Sequence, residues 1–184
     1  LNMDMAKKIK VTNRSNGMVI YSVPDLRVNR EFGPRAEKVV TYEEIYALAQ
    51  QPGGRELIYN YLLVQDPDAL HEALDITEQP EYWLTEDMIP TWLNSCSLNE
   101  FKDALDFAPE GVLDLIKKYA VSVPLNATDK REAIKEQLKF DVTKTIENNR
   151  LAEQEEDNAK ATGAASTRRS HPTYTAPKVI KKDE

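Results

Sequence analysis

Few residues of this 184-residue chain could perform chemistry, and their spacing matches no catalytic or metal-binding pattern. The chain has one cysteine, Cys96, and two histidines, His71 and His171. A structural zinc site needs about four ligands at defined spacing, and a catalytic nucleophile needs a base within hydrogen-bonding distance. These side chains therefore predict no metal site, no cofactor and no catalytic residue, and we expect a protein without enzymatic activity.

Other groups that resemble parts of catalytic motifs have simpler structural interpretations. Gly53-Gly54 lacks the Lys-Ser/Thr pair that follows the glycines of a phosphate-binding loop, which indicates a turn. Glu44 is the second of two adjacent carboxylates and is placed to assist a helix cap. We expect His71 to be a surface or interface histidine and Cys96 to be a small buried side chain.

Charge is distributed unevenly along the chain. Residues 1–64 carry a net charge of +2, residues 65–150 a net charge of −9, and residues 151–184 a net charge of zero. An acidic surface repels the phosphate backbone of nucleic acids. The middle part therefore favours protein partners, and we expect no specific nucleic acid and no small-molecule ligand.

The N-terminus, the apolar runs and the cysteine count of the sequence indicate the cellular compartment in which the protein is expected. No run of 18 apolar residues is present, so no membrane-spanning helix is predicted. Lysines near the N-terminus are not followed by the apolar stretch of a signal peptide, and a single cysteine fits a reducing compartment. Residues 1–5 are expected to be a flexible start, with residues 1–4 preceding a natural beginning at Met5.

Residues 6–64 predict a β-rich module with one or two helices. Alternating apolar and polar residues predict strands over 9–13 and 26–32, and β-branched residues predict a strand over 18–23. A fourth short strand is expected over 37–40. Asn16-Gly17 is typical of a type I′ turn that would join the first two strands as a hairpin. These strands indicate a small antiparallel sheet.

Two signals place helices in the same module. Thr41 and Glu44 have the spacing of a capping box, which predicts a helix that begins after Thr41. The apolar run at 57–64 predicts a helix that passes into a strand. One or two helices are therefore expected to cover the sheet.

Residues 65–152 predict an acidic bundle of short helices, so the expected fold class is α+β. Capping residues precede most of the apolar stretches, and Pro109 opens one further helix. The predicted caps are Asp66, Asp87, Ser97, Asp129 and Asp141. Residues 153–184 contain few large aliphatic side chains, a composition that does not support a packed core on its own. We expect the last helix to end near Asp157 and to be followed by an extended charged tail.

Two groups of residues are predicted to bind a protein partner. The tail offers two arginines and a few apolar groups able to anchor it: Arg168, Arg169, Tyr174, Pro177, Val179 and Ile180. Tyr82 and Trp83 form a second candidate, an aromatic patch beside Pro80. An alternative places a DNA-binding helix-turn-helix at residues 129–150, where six basic residues are interspersed with five acidic ones.

Several short patterns resemble a family of small proteins encoded by tailed bacteriophages. They include Val11-Thr-Asn-Arg-Ser, Tyr21-x-Val-Pro-Asp-Leu, Arg30-x-Phe-x-Pro, Lys38-x-Val, Glu43-Glu-Ile, Gln51-Pro-Gly-Gly, the stretch 105–116, Pro124-Leu-Asn and Lys130-Arg-Glu-Ala-Ile. The resemblance covers roughly residues 6–150. Gly33-Pro34-Arg35 departs from the Pro-Gly-Glu turn that the family has there.

The resemblance implies a component of a phage particle or of its assembly. We therefore expect a non-enzymatic structural protein of the capsid, neck or tail, which contacts other phage structural proteins in a symmetric multi-copy assembly. Its expected location is the virion, and the host cytoplasm during assembly, with no membrane contact. The alternative function is a phage-encoded regulator that binds DNA or a polymerase through residues 129–150.

Overall fold

The computed structural model describes residues 3–78 and 80–166, and this part of the chain is an α+β structure, as predicted. Its five strands are β1 (Lys8–Asn13), β2 (Val19–Val23), β3 (Val28–Phe32), β4 (Glu37–Thr41) and β5 (Leu62–Val64). Its eight α-helices are α1 (Tyr42–Ala49), α2 (Gly54–Tyr61), α3 (Pro67–Leu74), α4 (Ile89–Ser95), α5 (Leu98–Phe107), α6 (Glu110–Ser122), α7 (Thr128–Leu138) and α8 (Val142–Ser166). The four predicted strands of the N-terminal module are confirmed.

The strands form two antiparallel sheets rather than one. β1 lies between β4 and β5 in a three-stranded sheet, and β2 pairs only with β3. The predicted hairpin of β1 with β2 is therefore wrong, and Asn13 gives the physical reason. Its Nδ2 donates hydrogen bonds to the carbonyls of Gly17, Phe32 and Gly33, and its Oδ1 accepts from the backbone and hydroxyl of Ser15. These bonds hold the Asn16-Gly17 turn against β3, which directs the two strands into different sheets.

Helix α1 begins where the sequence predicts it. The Thr41 hydroxyl accepts a hydrogen bond from the Glu44 amide at 3.3 Å, which satisfies one of the free N–H groups of the first turn. The amides of Tyr42 and Glu43 donate to the carbonyls of Lys7 and Met5. The segment that precedes β1 thus satisfies two further N–H groups of the helix.

A tight turn separates α1 from α2, as Gly53-Gly54 predicts. Gly53 adopts a φ of +76°, a conformation that favours glycine. A Cβ on Gly54 would lie 1.8 Å from the carbonyl oxygen of Leu48, so a side chain at that position would prevent the close approach of the two helices. The predicted passage of a helix into a strand over residues 57–64 is also confirmed, as α2 followed by β5.

The N-terminal core extends past the predicted boundary at residue 64. Buried side chains of the sheets pack against α1 and α2, and α3 adds Ala69, Leu70, Ala73 and Leu74 to the same cluster. Asp66 caps α3 as predicted, because its carboxylate accepts from the Ala69 amide at 3.1 Å. The acidic helix α3 thus shares the hydrophobic core of the β-rich module.

Capping predictions for the remaining helices are partly correct. The side chains of Ser97 and Asp141 accept from the amides three residues later, as predicted. Asp87 and Asp129 are not caps, contrary to prediction. The Asp87 carboxylate accepts instead from the hydroxyl of Thr85, and Asp129 lies inside the first turn of α7. Short polar side chains hydrogen-bond readily to their own neighbours, which shifts the start of a helix.

The chain divides into two units, Leu1–Thr145 and Ile146–Glu184. Helix α8 continues to Ser166, beyond the predicted end near Asp157. The side chains of residues 147–161 are all exposed. Among the described helices, none has the length and apolar character needed to cross a membrane.

Candidate functional site

The predicted tail contacts lie outside the described residues. They are Arg168, Arg169, Tyr174, Pro177, Val179 and Ile180. Their role in binding a partner stays a prediction.

Tyr82, the first residue of the predicted aromatic patch, makes contacts within the chain. Its hydroxyl donates a hydrogen bond to Asp103, and its ring lies edge-on to Trp92 with 6.3 Å between centroids. The hydrogen bond to Asp103, together with burial, raises the pKa of Tyr82 to about 12. The side chain is half-buried, so part of the ring stays accessible to a partner.

Trp83, the second residue of the patch, supports a buried cation. Its ring lies 6.0 Å from that of Tyr59 and 3.9 Å from the guanidinium carbon of Arg14. Arg14 is 2% exposed, and its Nε and Nη1 have no hydrogen-bond partner among the described residues. Burial lowers the pKa of the Arg14 guanidinium to about 9. The ring of Trp83 therefore stabilises a desolvated charge, and neither residue type nor spacing distinguishes Arg14 from a surface arginine in the sequence.

Glu44 is the centre of a buried ion pair, so the predicted role of its side chain in the cap is wrong. Its carboxylate accepts from the Tyr21 hydroxyl at 2.7 Å and from Nε and Nη2 of Arg30 at 2.8 Å each. Burial raises the pKa of Tyr21, and the hydrogen bond to Glu44 raises it further. The sequence does indicate that Glu44 is buried. It lies four residues before Leu48, and residues four apart share one face of a helix.

Lys130 is another buried cation. Its Nζ donates to the carbonyls of Leu93 at 2.7 Å and Cys96 at 2.8 Å, and it lies 3.4 Å from the Cys96 sulfur. These carbonyls are at the C-terminal end of α4, where a positive charge is favourable. Burial raises the pKa of the Cys96 thiol, and Lys130 opposes that rise. The prediction that Cys96 is a small buried residue is confirmed.

The segment proposed to read DNA, residues 129–150, does contain two helices joined by a short turn. The basic groups of α7 and the lysine that follows it are engaged within the chain. They are Lys130 with the carbonyls already described, Arg131 with the Leu125 carbonyl, Lys135 with Asp141, and Lys139 with the Glu136 carbonyl. Lys130 and Arg131 therefore do not contribute to an exposed basic face of the kind that phosphate binding favours, whereas Lys135 and Lys139 stay exposed.

A cleft beside α3 brings together Asp68, His71, Glu72 and Asp75 in a volume of about 320 Å³. These positions share one helix face because they are three and four residues apart. The Nε2 of His71 and the Oε2 of Glu72 are buried and have no hydrogen-bond partner among the described residues. No three histidine, cysteine, aspartate or glutamate side chains in the described ranges are arranged to hold a metal ion.

Tyr42 lies behind the acidic face of α3. Its side chain is fully buried, and its hydroxyl interacts with the side chain of Glu72. Burial and the nearby Glu72 carboxylate raise the pKa of Tyr42 to about 12. Tyr42 thus links α1 to the acidic face of α3.

A second cleft of about 230 Å³ adjoins the first. It is lined by Arg55, Glu56, Tyr59, Asn60, Leu74 and Ile76. Ile76 lines both clefts, so they meet there. We refer to the combined surface as the α3 cleft. It joins an acidic part with a part that includes apolar side chains, and both parts lie within the Leu1–Thr145 unit.

Comparisons of the chain with protein families, with curated proteins and with solved structures found no significant match. The resemblance to a tailed-phage family stays a prediction from the residue patterns.

Proposed function

We propose that this chain is a non-enzymatic structural component of a tailed-bacteriophage particle, in the capsid, neck or tail. It acts through protein–protein contacts, and its C-terminal part is a tether to neighbouring subunits. The proposal rests on the residue patterns that resemble the phage family and on one structural observation, the exposure of α8.

That observation is the run of exposed side chains over residues 147–161. A helix that is polar on all sides buries no apolar stripe of its own, and it depends on local ion pairs or on contacts with other molecules. Lys160 and Glu156 form an exposed i, i+4 ion pair of this local kind, with 3.8 Å between Nζ and Oε2. A long exposed helix followed by a charged segment is well suited to reach other subunits of an assembly.

The charge distribution supports protein partners over the genome. Residues 65–150 carry a net charge of −9, and several of the basic groups in α7 are engaged in internal hydrogen bonds and ion pairs. Electrostatic complementarity to other proteins is available to such a surface, whereas attraction to phosphates is weak.

Mass spectrometry of purified particles tests the proposal. We expect this protein at a constant ratio to the other virion proteins across gradient fractions. Its absence from particles, while present in the infected cell, would refute the structural role.

Deletion of the residues after Gly163 tests the tether. The truncated protein should keep its helix content by circular dichroism, because the first unit ends at Thr145, but it should be incorporated poorly or be lost from particles at moderate salt. Incorporation and retention equal to those of the full chain would contradict the tether.

A further inference from the structure

We propose that the α3 cleft binds the basic C-terminal segment of a second copy of this chain, residues 178–182. The inference rests on the proposed function, because it names the contact through which the tether joins neighbouring copies.

The two surfaces carry opposite charge. The side chains that line the α3 cleft include four carboxylates and one arginine: Glu56, Asp68, Glu72, Asp75 and Arg55. Residues 178–182, Lys-Val-Ile-Lys-Lys, contain three lysines and no acidic residue. Opposite charges increase the association rate and help to set which surfaces pair.

The unpaired atoms of the cleft favour a cationic occupant. The Oε2 of Glu72 is a hydrogen-bond acceptor, and both it and the Nε2 of His71 are buried with no hydrogen-bond partner among the described residues. A lysine ammonium has three donors and no acceptor. Buried polar groups in folded proteins nearly always have a partner, and a docked lysine supplies the missing donor.

Apolar side chains in the adjoining part of the cleft match the centre of the segment. Tyr59, Leu74 and Ile76 line this part, and the segment has Val179 and Ile180 between its lysines. Removing aliphatic surface from water favours binding in proportion to the area buried. An occupant with lysines alone would leave this part of the cleft unused.

The chain is long enough to reach a second copy. Helix α8 has 25 residues, which corresponds to about 37 Å at the helical rise. Covalent geometry allows residues 167–184 to span at most about 60 Å. A folded unit of 145 residues has a diameter of about 40 Å, so the segment can extend beyond its own folded unit.

Isotope-resolved cross-linking of the full-length protein tests the contact. Equal amounts of unlabelled and nitrogen-15-labelled protein are mixed and treated with a zero-length carbodiimide reagent, which joins lysines to carboxylates in contact. We expect cross-links from Lys178, Lys181 or Lys182 to Asp68, Glu72 or Asp75, with mixed isotopic pairs among them. Cross-links with matching isotopes only would show binding within one copy and would overturn the proposal, as would the absence of these cross-links.

Charge reversal provides a second measurement. The cleft variant carries Asp68→Lys and Glu72→Lys, and the tail variant carries Lys181→Glu and Lys182→Glu. Each alone should weaken self-association in sedimentation velocity by about tenfold, as expected for the loss of a few partly exposed ion pairs. An equimolar mixture of the two variants should restore association, because each tail then meets a cleft of opposite charge.

Matched controls separate this contact from other effects. Glu132→Lys with Glu136→Lys makes the same charge change at exposed positions on α7 and should leave self-association unchanged. If the cleft variant fails to fold by circular dichroism, the tail variant alone decides the question, because its substitutions lie outside the first unit. Unchanged association of the tail variant would overturn the proposal.

The failure of this inference is distinguishable from the failure of the proposed function. A protein found at constant ratio in particles, but without the cross-links, would keep its structural role and lose the α3 cleft as its tether site. Absence from particles would refute the function itself.

Discussion

At Glu44, three hydrogen bonds hold a carboxylate that is 2% exposed. Arg30 provides two of them in a bidentate geometry, the strongest arrangement for this pair of groups. Its guanidinium is partly exposed, with 34% of the side chain accessible, so the ion pair spans the edge of the core. The side chains of β2, β3 and α1 therefore meet at this one residue.

Replacing Glu44 with glutamine should lower the free energy of unfolding by about 2 kcal/mol, because a charge that remains on Arg30 loses its buried partner. Urea denaturation followed by circular dichroism measures the change. Glu43→Gln is the matched control, since Glu43 is the exposed carboxylate next to it, and it should change stability by less than about 1 kcal/mol. Equal effects of the two substitutions would contradict a special role for Glu44.

The ion pair of Asp66 makes the stability of the folded protein depend on pH in the acidic range. The Asp66 carboxylate lies 2.5 Å from the Lys7 Nζ, and that hydrogen bond holds the pKa of Asp66 below its usual value. A carboxyl whose pKa is lower in the folded state stabilises that state at pH values above the unfolded-state pKa of about 4. The contribution is then lost as the pH falls further.

Asp66→Asn should therefore destabilise the protein by less than about 1 kcal/mol at pH 7, and its effect should shrink as the pH falls below about 4. Asparagine keeps the N-cap acceptor, so the substitution isolates the ion pair. Denaturation midpoints of both proteins across this pH range provide the measurement. Lys7→Met removes the same pair from its other side and should show the same pH dependence. A difference that stays constant down to pH 2 would argue against this linkage.

Among the secondary-structure elements, α6 has a closely packed first turn, where Gly111 lies against Arg14 and Asn60. A Cβ on Gly111 would lie 2.4 Å from the Cγ of Arg14 and 2.8 Å from the carbonyl oxygen of Asn60. The first turn of α6 thus contacts both the segment after β1 and helix α2. A glycine is required at position 111 because a side chain there would collide with Arg14 and Asn60, and not because of an unusual backbone angle.

Gly111→Ala should destabilise the protein by about 1–3 kcal/mol, the cost of forcing extra volume into a packed site. Helix propensity alone predicts the opposite sign, a gain of about 1 kcal/mol. Gly33→Ala is the control, because nothing lies within 4 Å of an added Cβ there. Thermal unfolding of both variants gives the comparison. A stabilised Gly111→Ala protein would show that α6 and Arg14 are not in close contact.

The start of α1 depends on one side-chain acceptor. Thr41→Ala removes the oxygen that accepts from the Glu44 amide and should cost about 1 kcal/mol. Thr41→Ser keeps that acceptor and should restore most of the stability. Chemical denaturation distinguishes the two variants. An unchanged midpoint for Thr41→Ala would show that the carbonyls of Lys7 and Met5 suffice to begin the helix.

For the whole molecule, the charge of −9 over residues 65–150 and the internal contacts of α7 predict no sequence-specific DNA binding. Mobility-shift assays at physiological salt should show no specific complex at submicromolar protein. A sequence-specific shift in that range would instead favour the regulator that reads DNA through residues 129–150. Because electrostatic binding to phosphates weakens steeply with salt, a shift seen only at low salt does not count as specific.

Local patterns in the sequence were enough to predict the fold class, the strands and several helix starts. Period-two alternation identified β1 and β3, β-branched residues identified β2, and the caps at Thr41, Asp66, Ser97 and Asp141 are confirmed. These features depend on residues within a few positions of each other. Their physical causes, the alternation of side chains and the hydrogen bonds of a helix turn, are therefore present in any short window of the chain.

Strand pairing and the environment of single charges were decided only by the tertiary structure. The sequence suggested that β1 pairs with β2, but the side chain of Asn13 bonds to Phe32 and Gly33 and separates them. Arg14, Glu44 and Lys130 are buried by partners 14 or more residues away. Contacts between distant residues depend on how elements pack, and the desolvation of a charge depends on everything around it. The polar groups of the α3 cleft that lack partners emerge in the same way, because α1, α2 and α3 must first come together.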